Sequence, residues 1–293
     1  MYIPFTGCAT ALVTPMRDGA VDFAALERLI DFQIEGGVGA LVPCGTTGEA
    51  PTLSGEEKRR VIAFTVEKAN GRLPVIAGCG SPSTALAARF AEYAARSGAD
   101  GVLCVTPYYN KATEEGLYLH YSAVARASGL PIMVYNVPQR TGLAISEVAY
   151  GRLCEIPEVC AVKEASGDAA AASRLISRYG SRLAFYCGCD EICAPFYAAG
   201  GRGLISVASN AAPRKMAHLC AVCEGGRLRD AASLQKELSP FISALFSEVS
   251  PIPVKRALDY MGICSDEVRL PLCRMSAAGS ARLKRSMEAL GLL

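Results

Sequence analysis

The chain has 293 residues, 51% hydrophobic and 20% charged, with 28 Gly and 16 Pro spread along it and no Trp, which excludes a disordered, collagen-like or low-complexity protein. Lys and Arg number 30 against 28 Asp and Glu, a formal charge of +2 without long runs of one sign, so neither a nucleic acid nor an anionic membrane surface is expected as a partner. An odd count of 13 Cys, behind an N-terminus lacking the basic start and apolar stretch of a signal peptide, reads as reduced thiols in a cytoplasmic protein.

Along the chain, short apolar runs alternate with longer segments of helical period. Strands are expected at 8–13, 39–44, 73–78, 101–106, 131–136, 159–164, 183–188 and 203–208. Helix starts fall between them: Asp22 before 23–37, a capping box from Ser54 to Glu57, Ser83 before 84–98, and Ser146. The strand centres recur about 30 residues apart, the pitch of roughly 250 residues shared among eight strand-helix units. The strands are apolar at nearly every position, as a parallel sheet covered on one face and filled on the other requires. The expected fold is therefore α/β, a (β/α)8 TIM barrel over residues 1–225 with a C-terminal helical extension over 226–293. A doubly wound open sheet is the alternative, but no Gly-x-Gly-x-x-Gly follows the first strand. The eighth helix is placed near 213–224, and the extension near 227–247, 252–261 and 276–290, interrupted by Pro251, Pro253 and Pro271. No apolar run approaches the roughly 20 residues of a membrane span.

In such a barrel, chemistry sits at the C-terminal ends of the strands. Strand two runs into Pro43-Cys-Gly-Thr-Thr-Gly-Glu49, strand four into Thr106-Pro-Tyr-Tyr-Asn110, strand five into Tyr135-Asn-Val-Pro-Gln-Arg-Thr-Gly142, and strand six into Lys163-Glu-Ala-Ser-Gly167. Lys163 ends an apolar run, where a charge is desolvated unless paired, and an uncharged amine is what attacks carbonyls. The plainer reading is a lysine ion-paired to a barrel carboxylate. Tyr135 ends the neighbouring strand and could shuttle protons for an imine; it could equally be a barrel tyrosine bonded to backbone. Gly45-Thr46-Thr47-Gly48 offers hydroxyls and open amides to a small carboxylate, although Thr-Gly pairs are common in turns. Tyr108 and Tyr109 read first as a subunit contact, and Arg140 as either a carboxylate clamp or a solvated arginine.

Together these segments resemble the dihydrodipicolinate synthase family of pyruvate-dependent, lysine Schiff-base aldolases. The motifs are Gly45-Thr-Thr-Gly-Glu49, Val105-Thr-Pro-Tyr-Tyr-Asn110, Tyr135-Asn-Val-Pro-x-Arg-Thr-Gly142, Val162-Lys-Glu-Ala-Ser-Gly167, Gly203-x-Ile-Ser-Val207 and Ser250-Pro-Ile-Pro-Val-Lys255. They span essentially the whole chain, and the Arg-Thr-Gly after Tyr135 discriminates most, because sialic-acid lyases and sugar-acid aldolases share the Lys and Tyr but usually lack that Arg. The resemblance implies a condensation of pyruvate with L-aspartate 4-semialdehyde on the route to diaminopimelate and lysine. It implies an imine on Lys163 and a proton relay of Tyr135, Thr46 and Tyr109, the last reaching in from the neighbouring subunit of a tight dimer. Arg140 then holds the semialdehyde carboxylate, Thr47 contacts pyruvate's carboxylate, and Gly188 and Ile205 shape the pocket floor. No cofactor and no metal are expected, since the imine is the electron sink, and the expected assembly is a homotetramer built from tight dimers. The near alternative is an N-acetylneuraminate lyase or a 2-keto-3-deoxy sugar acid aldolase.

One departure bears on regulation. Lysine-inhibited members of that family carry His, Asn and Glu where this chain has Lys58, Pro82 and Leu86, so weak or absent inhibition by lysine is expected, although Tyr108 is retained. A reading of a different kind is a thiol-dependent metal or redox barrel, from Cys187-Gly-Cys189 and Cys220-Ala-Val-Cys223. The second pair falls on an expected helix, and neither is joined by another pair at zinc-site spacing, so structural thiols are the preferred reading. His120 and His218, the only histidines, fall in helical segments away from the strand ends, against a His-based mechanism.

Overall fold

The computed structural model describes residues 4–293. Eight parallel strands form the barrel: β1 Gly7–Ala11, β2 Ala40–Val42, β3 Ile76–Gly78, β4 Gly101–Val105, β5 Ile132–Asn136, β6 Val159–Glu164, β7 Ala184–Cys187 and β8 Gly203–Ser206. The order runs β2-β1-β8-β7-β6-β5-β4-β3, and a parallel bridge from Leu41 to Val75 links its two ends. Hydrogen bonds from Leu41 N to Pro74 O and from Gly78 N to Pro43 O, both 2.9 Å, reinforce that seam. The helices between strands are α1 Phe23–Glu35, α2 Gly55–Ala69, α3 Thr84–Arg96, α4 Glu114–Ser128, α5 Glu147–Leu153, α6 Ala169–Tyr179 and α7 Cys193–Ala198. α8 Pro213–Glu224 follows β8, and then come α9 Leu228–Leu245, α10 Ile252–Tyr260 and α11 Ala277–Ala289.

The strands are apolar throughout because their two faces bury into different cores. Alternate residues such as Ala9, Val42, Leu103, Met133, Ala161 and Ile205 pack inside the barrel. Their neighbours, among them Cys8, Leu41, Val102, Val134, Val162 and Leu204, pack under the helices. At the N-terminal end Phe5 stacks on Tyr186 with ring centroids 4.4 Å apart, and the tyrosine hydroxyl donates to Phe5 O at 2.7 Å.

Local chemistry sets the helix starts. Asp22 accepts from Ala25 N, Ser146 from Ala149 N, and the Ser54–Glu57 capping box closes in both directions. Ser83 stands at the start of α3 but its side chain makes no capping bond. Several strands are shorter than the apolar runs suggest: β2 and β3 keep three residues each, because Gly39 and Pro43 bound the one and Pro74 precedes the other. A small antiparallel hairpin, Met16–Arg17 with Ala20–Val21, escapes the sequence reading. Its tip, Asp18-Gly19, has both residues left-handed (φ 51° and 78°), the turn that suits a two-residue hairpin.

Candidate active site

Alternation along β5 and β6 turns Tyr135 and Lys163 into the barrel at its C-terminal mouth, and the sheet register sets them side by side. Lys163 is 5% exposed, and its Nζ lies 4.4 Å from the centre of the Tyr135 ring. Among the described residues no carboxylate pairs with Lys163. The ion-paired barrel lysine, the plainer reading of its sequence position, is therefore not what forms. Gly188 gives the side chain room: a Cβ there would fall 3.1 Å from Lys163 Cε and 2.6 Å from the Ala165 Cβ. Ile205 is fully buried on β8 inside the barrel.

A cavity of about 260 Å³ opens at the mouth, its wall including Thr46, Leu103, Tyr108, Tyr135, Val137 and Arg140. Lys163 itself is not part of that wall; its Nζ faces the ring of Tyr135, which is. Thr46 sits in a compact turn, its carbonyl accepting from Glu49 N at 3.1 Å, while Thr47 is buried beside it. Arg140 lies on the one-turn helix Pro138–Thr141 and donates from Nη2 to Ser250 O at 3.4 Å. Burial raises the Tyr108 phenol above its ordinary value. Tyr109 is placed differently: it is 96% exposed and left-handed (φ 69°), and it stays off the wall of this chain's cavity.

Two features escape the sequence reading. Asp190, two residues beyond Gly188, is a fully buried carboxylate that accepts from Ser206 Oγ at 2.5 Å and Val207 N at 3.0 Å. Desolvation raises its pKa, against the bonds from Ser206 and the backbone and the charge of Lys163; it ties the ends of β7 and β8 together beside the lysine. Its position in Cys187-Gly-Cys-Asp190, at a strand end, is the signal that could have found it. The second is a buried ion pair between Glu49 and Lys255, invisible in sequence because its partners lie 206 residues apart.

One thiol, Cys44, lines the cavity. All 13 are free and ten are buried, and burial pushes Cys44 and Cys79 up to about 12, which keeps them protonated and poorly nucleophilic. Among the described residues no group of three or more His, Cys, Asp or Glu is arranged to hold a metal ion. His218 is exposed on α8 and His120 is buried on α4, both away from the mouth.

Fold and site together define a class, a (β/α)8-barrel lyase with an amine and a phenol facing one another at the mouth. The chain belongs to the dihydrodipicolinate synthetase family, whose model matches residues 4–290. It is 47% identical over 290 residues to a 4-hydroxy-tetrahydrodipicolinate synthase of Nitratidesulfovibrio vulgaris, covering 99% of both chains. Its fold is similar, at a TM-score of 0.96 and 42% identity, to the chloride-inhibited dihydrodipicolinate synthase of Acinetobacter baumannii complexed with pyruvate, over 98% of this chain and 99% of that one. A monomeric dihydrodipicolinate synthase variant matches with the same TM-score at 41% identity, over 99% and 98% of the two chains. Among the described residues no helix is long and apolar enough to cross a membrane.

Proposed function

We propose that the protein is a 4-hydroxy-tetrahydrodipicolinate synthase, condensing pyruvate with L-aspartate 4-semialdehyde through an imine on Lys163. The observation that carries this is the buried, carboxylate-free amine of Lys163 against Tyr135 in a chain of this family. The Lys163 amine adds to pyruvate's ketone, and the carbinolamine loses water to give the imine. Loss of a methyl proton yields an enamine, whose carbon attacks the semialdehyde's aldehyde. The product's own amine then adds to the imine carbon and displaces Lys163, closing the ring and returning the free enzyme. The protonated imine accepts the electron pair as the methyl proton leaves, and the enamine returns it in the new carbon-carbon bond, so the scheme needs no cofactor.

Tyr135 and Thr46, both on the cavity wall, carry protons to and from the carbinolamine, with Tyr109 supplied by a second copy of the chain. Thr47 holds pyruvate's carboxylate and Arg140 that of the semialdehyde, while Gly188 and Ile205 shape the floor. The reading includes a cytoplasmic homotetramer of tight dimers, and a division into a barrel at 1–225 and an extension at 226–293. Borohydride reduction in the presence of pyruvate, followed by peptide mass analysis, is expected to fix a stable adduct on Lys163; its absence would defeat the reading. Turnover of aspartate semialdehyde in preference to N-acetylneuraminate or 2-keto-3-deoxygluconate is expected, and the reverse preference would move the protein to the sialic-acid or sugar-acid aldolases.

A further inference from the structure

We propose that Glu49 and Lys255 are a positioning pair through which the C-terminal extension holds the Thr46-Thr47 loop in place at the cavity whose wall Thr46 shares with Tyr135. This inference rests on the function proposed above and adds to it a residue pair outside the reacting groups.

The two side chains are 1% and 0% exposed and meet at 2.5 Å. Each has a further partner: Glu49 Oε2 accepts from Arg269 N at 3.0 Å, and Lys255 Nζ donates to Glu267 O at 2.6 Å. Glu49 therefore receives two bonds from the extension and none of its carboxylate oxygens is left to water. Its backbone is left-handed (φ 54°), a conformation that costs a non-glycine residue energy and persists only where the surroundings impose it. From that backbone its N–H reaches Thr46 O, and Gly48 N reaches Gly45 O, both at 3.1 Å. Thr14 Oγ1 donates to Gly48 O at 2.7 Å. The carboxylate, the strained backbone and the threonine turn thus form one rigid unit, and its fixed point is Lys255. Arg269 extends the fastening by donating to Thr52 O at 2.9 Å.

Removing one partner leaves an uncompensated charge in a dry site, and the loop must move to hydrate it. A displacement of about 1 Å at a reacting group costs roughly 100-fold in rate. The loop carries groups that serve pyruvate, whereas Arg140 sits on the one-turn helix Pro138–Thr141 and its guanidinium is held by a backbone carbonyl just before α10, Ser250 O, rather than by the ion pair. The lesion should therefore fall on one substrate and spare the other.

The test uses full-length Glu49→Gln, Lys255→Met and their double variant, with steady-state kinetics for both substrates and the rate of borohydride-trapped adduct formation, well below the melting temperature. Each single variant is expected to lose about 100-fold in kcat, form the adduct correspondingly slowly and raise the KM for pyruvate, with the KM for the semialdehyde within about twofold. The double variant, whose buried site is neutral, is expected to recover at least about tenfold over either single one. If a single variant does not fold, the double one carries the comparison: a slowed adduct and raised pyruvate KM support the pair. Folded variants with unchanged kcat and pyruvate KM, or with both KM values raised alike, would overturn it. An absent adduct in the unaltered protein would overturn the functional reading itself, and this inference with it.

Discussion

The space around Lys163 is set by what Gly188 lacks. A methyl group there would press on Lys163 Cε and the Ala165 Cβ at once, and on the Glu164 carbonyl at 3.2 Å; only the lysine end can yield. Gly188→Ala is expected to lower kcat/KM by at least about tenfold while costing only about 1–3 kcal/mol of stability, measured by turnover and by urea unfolding. A fall in stability with turnover intact would contradict this placement of the lysine. A second residue-scale prediction concerns Lys58, which is buried with its Nζ 4.2 Å from the centre of the Phe90 ring, while Leu86 offers no carboxylate to an incoming ammonium. L-lysine is expected to leave turnover nearly unchanged, and half-maximal inhibition at sub-millimolar lysine would refute this. The sequence made Lys163 and Tyr135 legible because each ends an apolar run, a local signal. Asp190 left only a faint local signal, a carboxylate at a strand end, and the Glu49–Lys255 pair left none, since its meaning arises only when distant segments meet.

At the scale of elements, a polar contact joins the exposed first turn of α3 to a buried side chain of α4. Thr84 Oγ1 and His120 Nδ1 lie 3.0 Å apart, and His120 Nε2 is buried without a partner. Burial pushes the His120 imidazole down to about 4 from an ordinary 6.5. Between those values the unfolded chain binds a proton that the folded chain refuses, so stability is full above pH 6.5 and is lost as pH falls toward 4. From pH 7 to about pH 4.5 this contributes a loss of about 2–3 kcal/mol. His120→Gln is expected to flatten that part of the profile, and parallel unfolding curves for both proteins across this range would refute it. Strand boundaries were less legible than strand identities: Pro74 and Pro43 lie beside the ladder and shorten β2 and β3, whereas hydrophobicity alone runs straight through them. The Asp18-Gly19 hairpin was readable in principle, but its strands are two residues long, below the length at which alternation can be seen.

For the whole molecule, the placement of Tyr109 makes association part of the proposed chemistry. Tyr109, 96% exposed and off its own cavity wall, is placed by the proposed chemistry in the site of a neighbouring copy. Lys163→Ala and Tyr109→Phe variants, each inactive alone, are expected to regain about a quarter of full activity when dissociated and reassembled together, because half of random dimers are mixed and each mixed dimer keeps one intact site. No recovery on mixing would place Tyr109 outside the reaction or within its own chain's site. The stacked rings of Phe5 and Tyr186 act on the same scale from the opposite end. They close the N-terminal end of a barrel whose interior is already packed with side chains, which leaves the C-terminal mouth as the way in and out. On the proposed chemistry pyruvate descends first, the aldehyde arrives on top of it, and the product must clear the passage before the next pyruvate can enter.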